Sequence, residues 1–165
     1  MVNKIIVVLV LAAAVVAGLY ILWPSEESRV KETFEEISAA LDKSGNESTI
    51  DALGKARRAV ALVEPGSRFE AFDRSITLPN NPSDITPHVV AFRNLAANMH
   101  FAFEDIEVKL SGDDRAEVTC DFFYTGDDVG LSVRDARALD ATLHKDPESG
   151  RWRFVRVRLS NIIEK

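Results

Sequence analysis

The sequence predicts an α+β domain of about 135 residues, held at a membrane by one N-terminal transmembrane helix. Three observations predict it. Residues 5–23, IIVVLVLAAAVVAGLYILW, run nineteen positions without a charge. Residues 29–64 then repeat apolar side chains every three or four positions, the helical period. From Phe101 onward the period falls to two, with short polar turns between the runs, as in an antiparallel sheet.

The apolar run would make a helix of about 28 Å, close to a hydrocarbon core of about 30 Å. Tyr20 and Trp23 fall at its far end, where amphipathic rings favour the membrane interface. A cleaved signal peptide is the rival reading. Only Lys4 precedes the run, the run is longer than the apolar part of such peptides, and no small-x-small cleavage site is well defined. No cysteine follows it, which excludes a lipoprotein anchor. The chain thus divides into a membrane anchor (1–24), a short stalk (25–28) and a domain (29–165). Lysines and arginines are nearly level on the two sides of the run. The short head before it favours a signal anchor, N-terminus inside and domain on the extracytoplasmic side.

Within the domain, Val30, Phe34, Ile37, Ala40 and Leu41 mark a first helix over 29–43, stopped by Lys43-Ser44-Gly45-Asn46. A second helix fits 48–64. Ser48 or Thr49 caps it, Ile50, Leu53, Ala56, Val60 and Val63 form its apolar stripe, and Arg57 and Arg58 mark its wetted side. Pro65-Gly66 ends it. Residues 68–78 are ambiguous: Phe69 and Phe72 are spaced like a helix turn, and Ser75 to Leu78 are extended. Pro79-Asn80-Asn81-Pro82 is a turn, and 88–99 suits a third helix with Pro87 near its first turn. Four strands follow at 101–110, 115–124, 133–145 and 151–162. Their alternation sends Val118, Cys120, Phe122, Tyr124, Leu139, Ala141, Leu143, Val155, Val157 and Leu159 towards the helices. It sends Trp152, Phe154, Arg156 and Arg158 to the outer face with Glu117, Thr119, Asp121, Asp140 and Thr142.

Helices first, then a long antiparallel sheet closed by ATLH, a turn and GRWRFVRV at 150–157, resembles the nuclear-transport-factor-2-like superfamily. That group includes ketosteroid isomerases, scytalone dehydratase, polyketide cyclases and non-enzymatic binding domains. The resemblance covers residues 29–162 and implies a cone, with three helices packed on a curved antiparallel sheet. It implies no reaction by itself. Catalytic members work through Asp, His or Tyr side chains inside the cone, and no such constellation is matched here. It also implies pairing through the outer sheet face.

The whole chain carries 20 Lys+Arg against 26 Asp+Glu, which leaves no broad cationic footprint for nucleic acid. Arg151, Arg153, Arg156 and Arg158 do not share one face, and acidic neighbours oppose a phosphate track. Three histidines and one cysteine lack metal-ligand spacing. The acidic turns 111–114 and 126–128 lack the calcium-loop pattern. No metal and no cofactor is expected. His100 with Asp73 or Asp121 is the candidate general-base pair, and Cys120 reads as a small buried hydrophobe. Phe72, Phe92, Phe122, Tyr124 and Val157 are the candidate pocket. Trp152, Phe154, Arg156 and Arg158 are the candidate interface, since Trp and Arg anchor contacts.

The function expected is a membrane-anchored, non-catalytic accessory or scaffold domain. It would bind a protein partner or a second copy through the outer sheet face, or a small apolar ligand in the cone. The alternative is a membrane-tethered isomerase, dehydratase or hydrolase acting on a small hydrophobic substrate.

Overall fold

The computed structural model describes residues 24–71, 74–128 and 131–162. The apolar run 5–23, Phe72 and Asp73 lie outside the described residues. Among the described residues no helix is long and apolar enough to cross a membrane. Among the described residues three helices, α1 (Glu26–Leu41), α2 (Thr49–Ala61) and α3 (Pro82–Arg93), accompany six strands. The strands are β1 (Val63–Ala71), β2 (Arg74–Thr77), β3 (Met99–Ser111), β4 (Arg115–Asp128), β5 (Leu131–Lys145) and β6 (Trp152–Ile162).

Each helix starts where a short polar side chain can take an orphan amide. Ser25 accepts from the Ser28 N–H at 3.2 Å and Ser48 from the Asp51 N–H at 3.1 Å. Asn81 does so for Ser83 at 3.1 Å, with Pro82 in the first turn of α3. The third helix therefore begins six residues before the expected 88, because Asn81-Pro82 is a cap followed by a helix-compatible proline. Pro87 sits inside the helix instead of at its start. Helix α1 likewise begins at Glu26, within the stretch read as a stalk.

The sheet order is β2-β1-β6-β5-β4-β3. Strands β3 to β6 form the expected antiparallel meander, but the sheet is mixed and has six strands. Strand β1 runs parallel to β6, and β2 folds back on β1. Pro65-Gly66 does not end a helix. Helix α2 stops at Ala61, and the chain enters β1, where Gly66 adopts φ 77° and the register to β6 shifts between Val63 and Arg68. A positive φ favours glycine, and a Cβ at this position would meet Asn80 Oδ1 at 2.9 Å.

Helix α1 packs on the inner sheet face. Val30, Phe34, Ile37 and Ala40 meet Val118, Cys120, Leu139, Ala141 and Leu143, all buried. Phe34 stands edge-on to Phe103 and Phe154, with ring centroids 5.2 and 5.0 Å apart, an arrangement aromatic pairs prefer. Trp152 and Phe154 belong to this core, 3% and 4% exposed, which corrects their expected outward placement. The cause is a bulge in β6. Leu143 pairs with Phe154 but Thr142 pairs with Arg156, so Val155 is an extra residue. One inserted residue inverts the alternation. Trp152 and Phe154 face the helices on one side of it, Val157 and Leu159 on the other, and Val155 is the odd residue between.

Candidate functional site

The inner sheet face has few polar groups, and those described as buried are tied into the framework. Thr33 Oγ1 donates to the Arg29 carbonyl at 3.0 Å. Ser67 Oγ donates to the Phe154 carbonyl at 2.8 Å and also contacts the Glu64 carbonyl. Burial, with Asp121 and Asp140 nearby, pushes the Cys120 thiol up to about 12. A thiol so raised stays protonated at neutral pH, whereas the thiolate is the nucleophilic form.

The third buried polar side chain, Arg93, was not anticipated. It comes from the end of α3, and Nη1 donates to the carbonyls of Ala40 and Leu41 at 2.7 and 2.6 Å. Nη2 donates to the Asp42 carbonyl at 3.1 Å and to Glu47 Oε2 at 2.6 Å. These are the orphan carbonyls at the end of α1, where a cation is also favoured by the helix dipole. The capping is reciprocal: Lys43 Nζ, just past α1, donates to the Arg93 and Ala96 carbonyls at 2.9 Å each. Lys55 pairs with Glu47 at 2.9 Å. Burial pushes the Glu47 carboxyl up, but hydrogen bonds from Arg93 and Lys55 outweigh it and hold the group below the usual carboxylate range. A lone arginine in the apolar run HVVAFRNLAANM was the one sequence signal for this joint.

His100 does not meet Asp121. Its Nδ1 lies 2.9 Å from Asp42 Oδ2, while Asp42 Oδ1 accepts the Phe101 N–H at 2.8 Å. Both residues line an open concavity of about 340 Å³ with Lys55, Asn98 and Asp127. An Asp–His pair of this kind can relay a proton, but the histidine side chain is 65% exposed and water surrounds it. Asp121 stands in β4 opposite Glu104 and Ala138, half-buried.

Three of the expected pocket residues come together around Phe101. Its ring lies 6.1 Å from Phe92, 6.1 Å from Phe122 and 5.2 Å from Tyr124. Phe92 is still 40% exposed, and Val157 packs against the main core instead. Tyr124 folds its hydroxyl over Gly126, leaving no room for a Cβ there.

On the outer face, Arg156 and Arg158 pair with Glu70 of β1. Arg156 Nη2 lies 3.0 Å from both Glu70 oxygens and Arg158 Nε 2.9 Å from one. Those two arginines, Arg156 first, hold the Glu70 carboxyl below the usual range. A concavity of about 410 Å³ runs from them across Thr142, Asp140 and Glu117 to Glu107 and Lys109. The basic strip on β6 thus lies beside an acidic strip on β3 to β5.

This arrangement of helices and sheet recurs in solved structures. The chain has the nuclear-transport-factor-2-like fold. A nuclear transport factor 2-like superfamily protein from Salmonella enterica serovar Typhimurium superposes with a TM-score of 0.63 at 14% identity, over 84% of this chain and 92% of that one. A candidate calcium/calmodulin-dependent protein kinase II association domain from Xanthomonas campestris gives 0.63 at 17%, over 86% and 91%. A candidate scytalone dehydratase from Novosphingobium aromaticivorans gives 0.61 at 12%, over 82% of each. No family model and no curated protein matches the sequence. A candidate dehydratase thus stands beside a candidate association domain among these neighbours, and at these identities the likeness speaks of fold alone.

Proposed function

We propose that this protein is a membrane-anchored, non-catalytic accessory domain that binds a protein partner. The observation that carries the reading is the use of the interior polar groups. Thr33, Ser67 and Arg93, the buried polar side chains among the described residues, all bond backbone carbonyls, and the Cys120 proton is held to about pH 12. An acid–base enzyme needs a titrating group near neutrality inside the cone. The described interior supplies only structural ones.

The uncharged run 5–23 supports the anchor, with the domain on the extracytoplasmic side. The adjoining basic and acidic strips of the outer face support a self-complementary contact with a second copy or a charged partner. There Arg156 and Arg158 are the anchors, and Trp152 and Phe154 lie in the core behind them. The aromatic row at Phe92, Phe122 and Tyr124 is the place a small apolar ligand would take. The enzymatic alternative has one foothold, the 2.9 Å Asp42–His100 contact.

Complementation of a deletion strain separates the two. His100→Ala, Asp42→Asn and Asp121→Asn should restore the wild-type phenotype, while Arg156→Glu with Arg158→Glu should not. Failure of His100→Ala with the protein present at normal level would overturn the accessory reading. Protease added to spheroplasts should digest the domain without lysis. Protection until lysis would reverse the orientation.

A further inference from the structure

Helix α2 presents Leu53, Arg57 and Val60 to a groove shared with α3, and Ile50 continues the same stripe beyond the groove. Residues at this spacing share one face of a helix, and ten residues span roughly 15 Å. The groove holds about 660 Å³ and takes Pro87, Val90 and Ala91 from α3 as its other wall. Val60 is buried at its floor, but Leu53 is 37% and Ile50 84% exposed. The apolar pattern of α2 therefore extends beyond what the domain covers. Arg57 is exposed, as expected of a wetted side, and stands in the wall of this groove. Among the described residues neither Arg57 nor its neighbour Arg58 makes an ion pair or a side-chain hydrogen bond.

We propose that the α2–α3 groove docks an acidic amphipathic segment of a partner protein, its apolar side chains on Leu53, Val60 and Val90 and its carboxylate on Arg57. The proposal rests on the accessory reading and names its partner class. Charge decides the occupant. A guanidinium beside apolar surface recognises a planar carboxylate through two parallel hydrogen bonds. In a chain with 26 acidic and 20 basic residues, Arg57 sets an unpaired cation in the wall of this groove, which steers an acid to it. The chain's own apolar run 5–23 contains no Asp or Glu, so it cannot supply that group. A shallow groove between two helices suits a helical segment reading out every third or fourth side chain.

The test is selection of a random-peptide display library on the full-length chain in detergent. Selected peptides should converge on one Asp or Glu three or four positions from bulky apolar residues. Arg57→Glu and Leu53→Ser should each weaken them roughly tenfold or more, and replacing the peptide acid by Lys should restore binding to Arg57→Glu. Peptides without that acid, or unaffected by both substitutions, would overturn the groove. If they were instead lost in Arg158→Glu, the accessory reading would stand with its site on the outer face. Phosphatidylglycerol vesicles bound by wild type but not Arg57→Glu, or self-association lost in Leu53→Ser, without any selected peptide, would make a lipid surface or a second copy the occupant and overturn the proposal. No peptide and no self-association would overturn the groove, while complementation by Arg156→Glu with Arg158→Glu would separately overturn the accessory reading.

Discussion

Helix α1 turns Val30, Phe34, Ile37 and Ala40 onto the sheet and leaves all four buried, whereas helix α2 leaves Ile50 and Leu53 of its stripe in solvent. Both helices open on a serine cap and both are amphipathic. The sheet lies under α1, whereas α2 packs mainly on α3 and α1 and touches the sheet at β1. Burying a side chain such as Phe34 or Val30 contributes roughly 1.5–3 kcal/mol. Ile50 contributes almost nothing of that kind to this fold. The exposed end of this stripe is the surface that the proposed partner segment would cover.

The largest effect belongs on the covered side. Phe34→Ala removes a ring held between Phe103 and Phe154 and should cost about 3–5 kcal/mol in denaturant unfolding. A loss under about 1 kcal/mol would mean that α1 is not the element that closes the sheet.

Arg93→Met should come next, at about 3 kcal/mol, since it strips three carbonyls and leaves Glu47 with Lys55 alone. Arg93→Lys should not recover it, because one ammonium cannot reach both the end of α1 and Glu47. Full recovery by lysine would reduce the joint to a simple charge.

The same joint sets a pH dependence. Glu47 lies below its ordinary 4.5 when folded, so the unfolded chain binds its proton more readily. That stabilisation is complete above about pH 5 and is lost as pH falls through the folded value. Glu26 acts in the same direction, held down by Lys145 and then by the Trp152 indole. Glu47→Gln should flatten the acid limb of a stability–pH profile. An unchanged limb would place the sensitivity elsewhere. Trp152→Phe, which removes the 3.0 Å indole bond to Glu26, should cost about 1 kcal/mol.

What could be read from the sequence follows the range of the interactions. Caps are local, so Ser48 announced α2, and the period of two announced β3 to β6. The ends of α3 were misplaced because Asn81-Pro82 reads equally as a turn and as a cap. Strand β1 was hidden by Pro65-Gly66, a stop signal in most contexts, and by a partner, β6, far along the chain. The facing of Trp152 and Phe154 turned on one bulge residue, Val155, which no alternation rule anticipates. Of the site, the alternation places Arg156 and Arg158 outward, but their partner Glu70 comes from β1, a strand it does not reveal. Asp42 beside His100, Glu70 beside the arginines, and Glu47 beside Arg93 are contacts between distant segments with no local signature.

The difference between the two helices is tested most directly by placing a charge at Ile50. In equilibrium urea unfolding of the full-length chain, Ile50→Asp should shift stability by no more than about 0.5 kcal/mol, as at an ordinary surface position. A loss above about 2 kcal/mol would show that the α2 stripe is already buried in the folded protein, and that no face is left there for a partner.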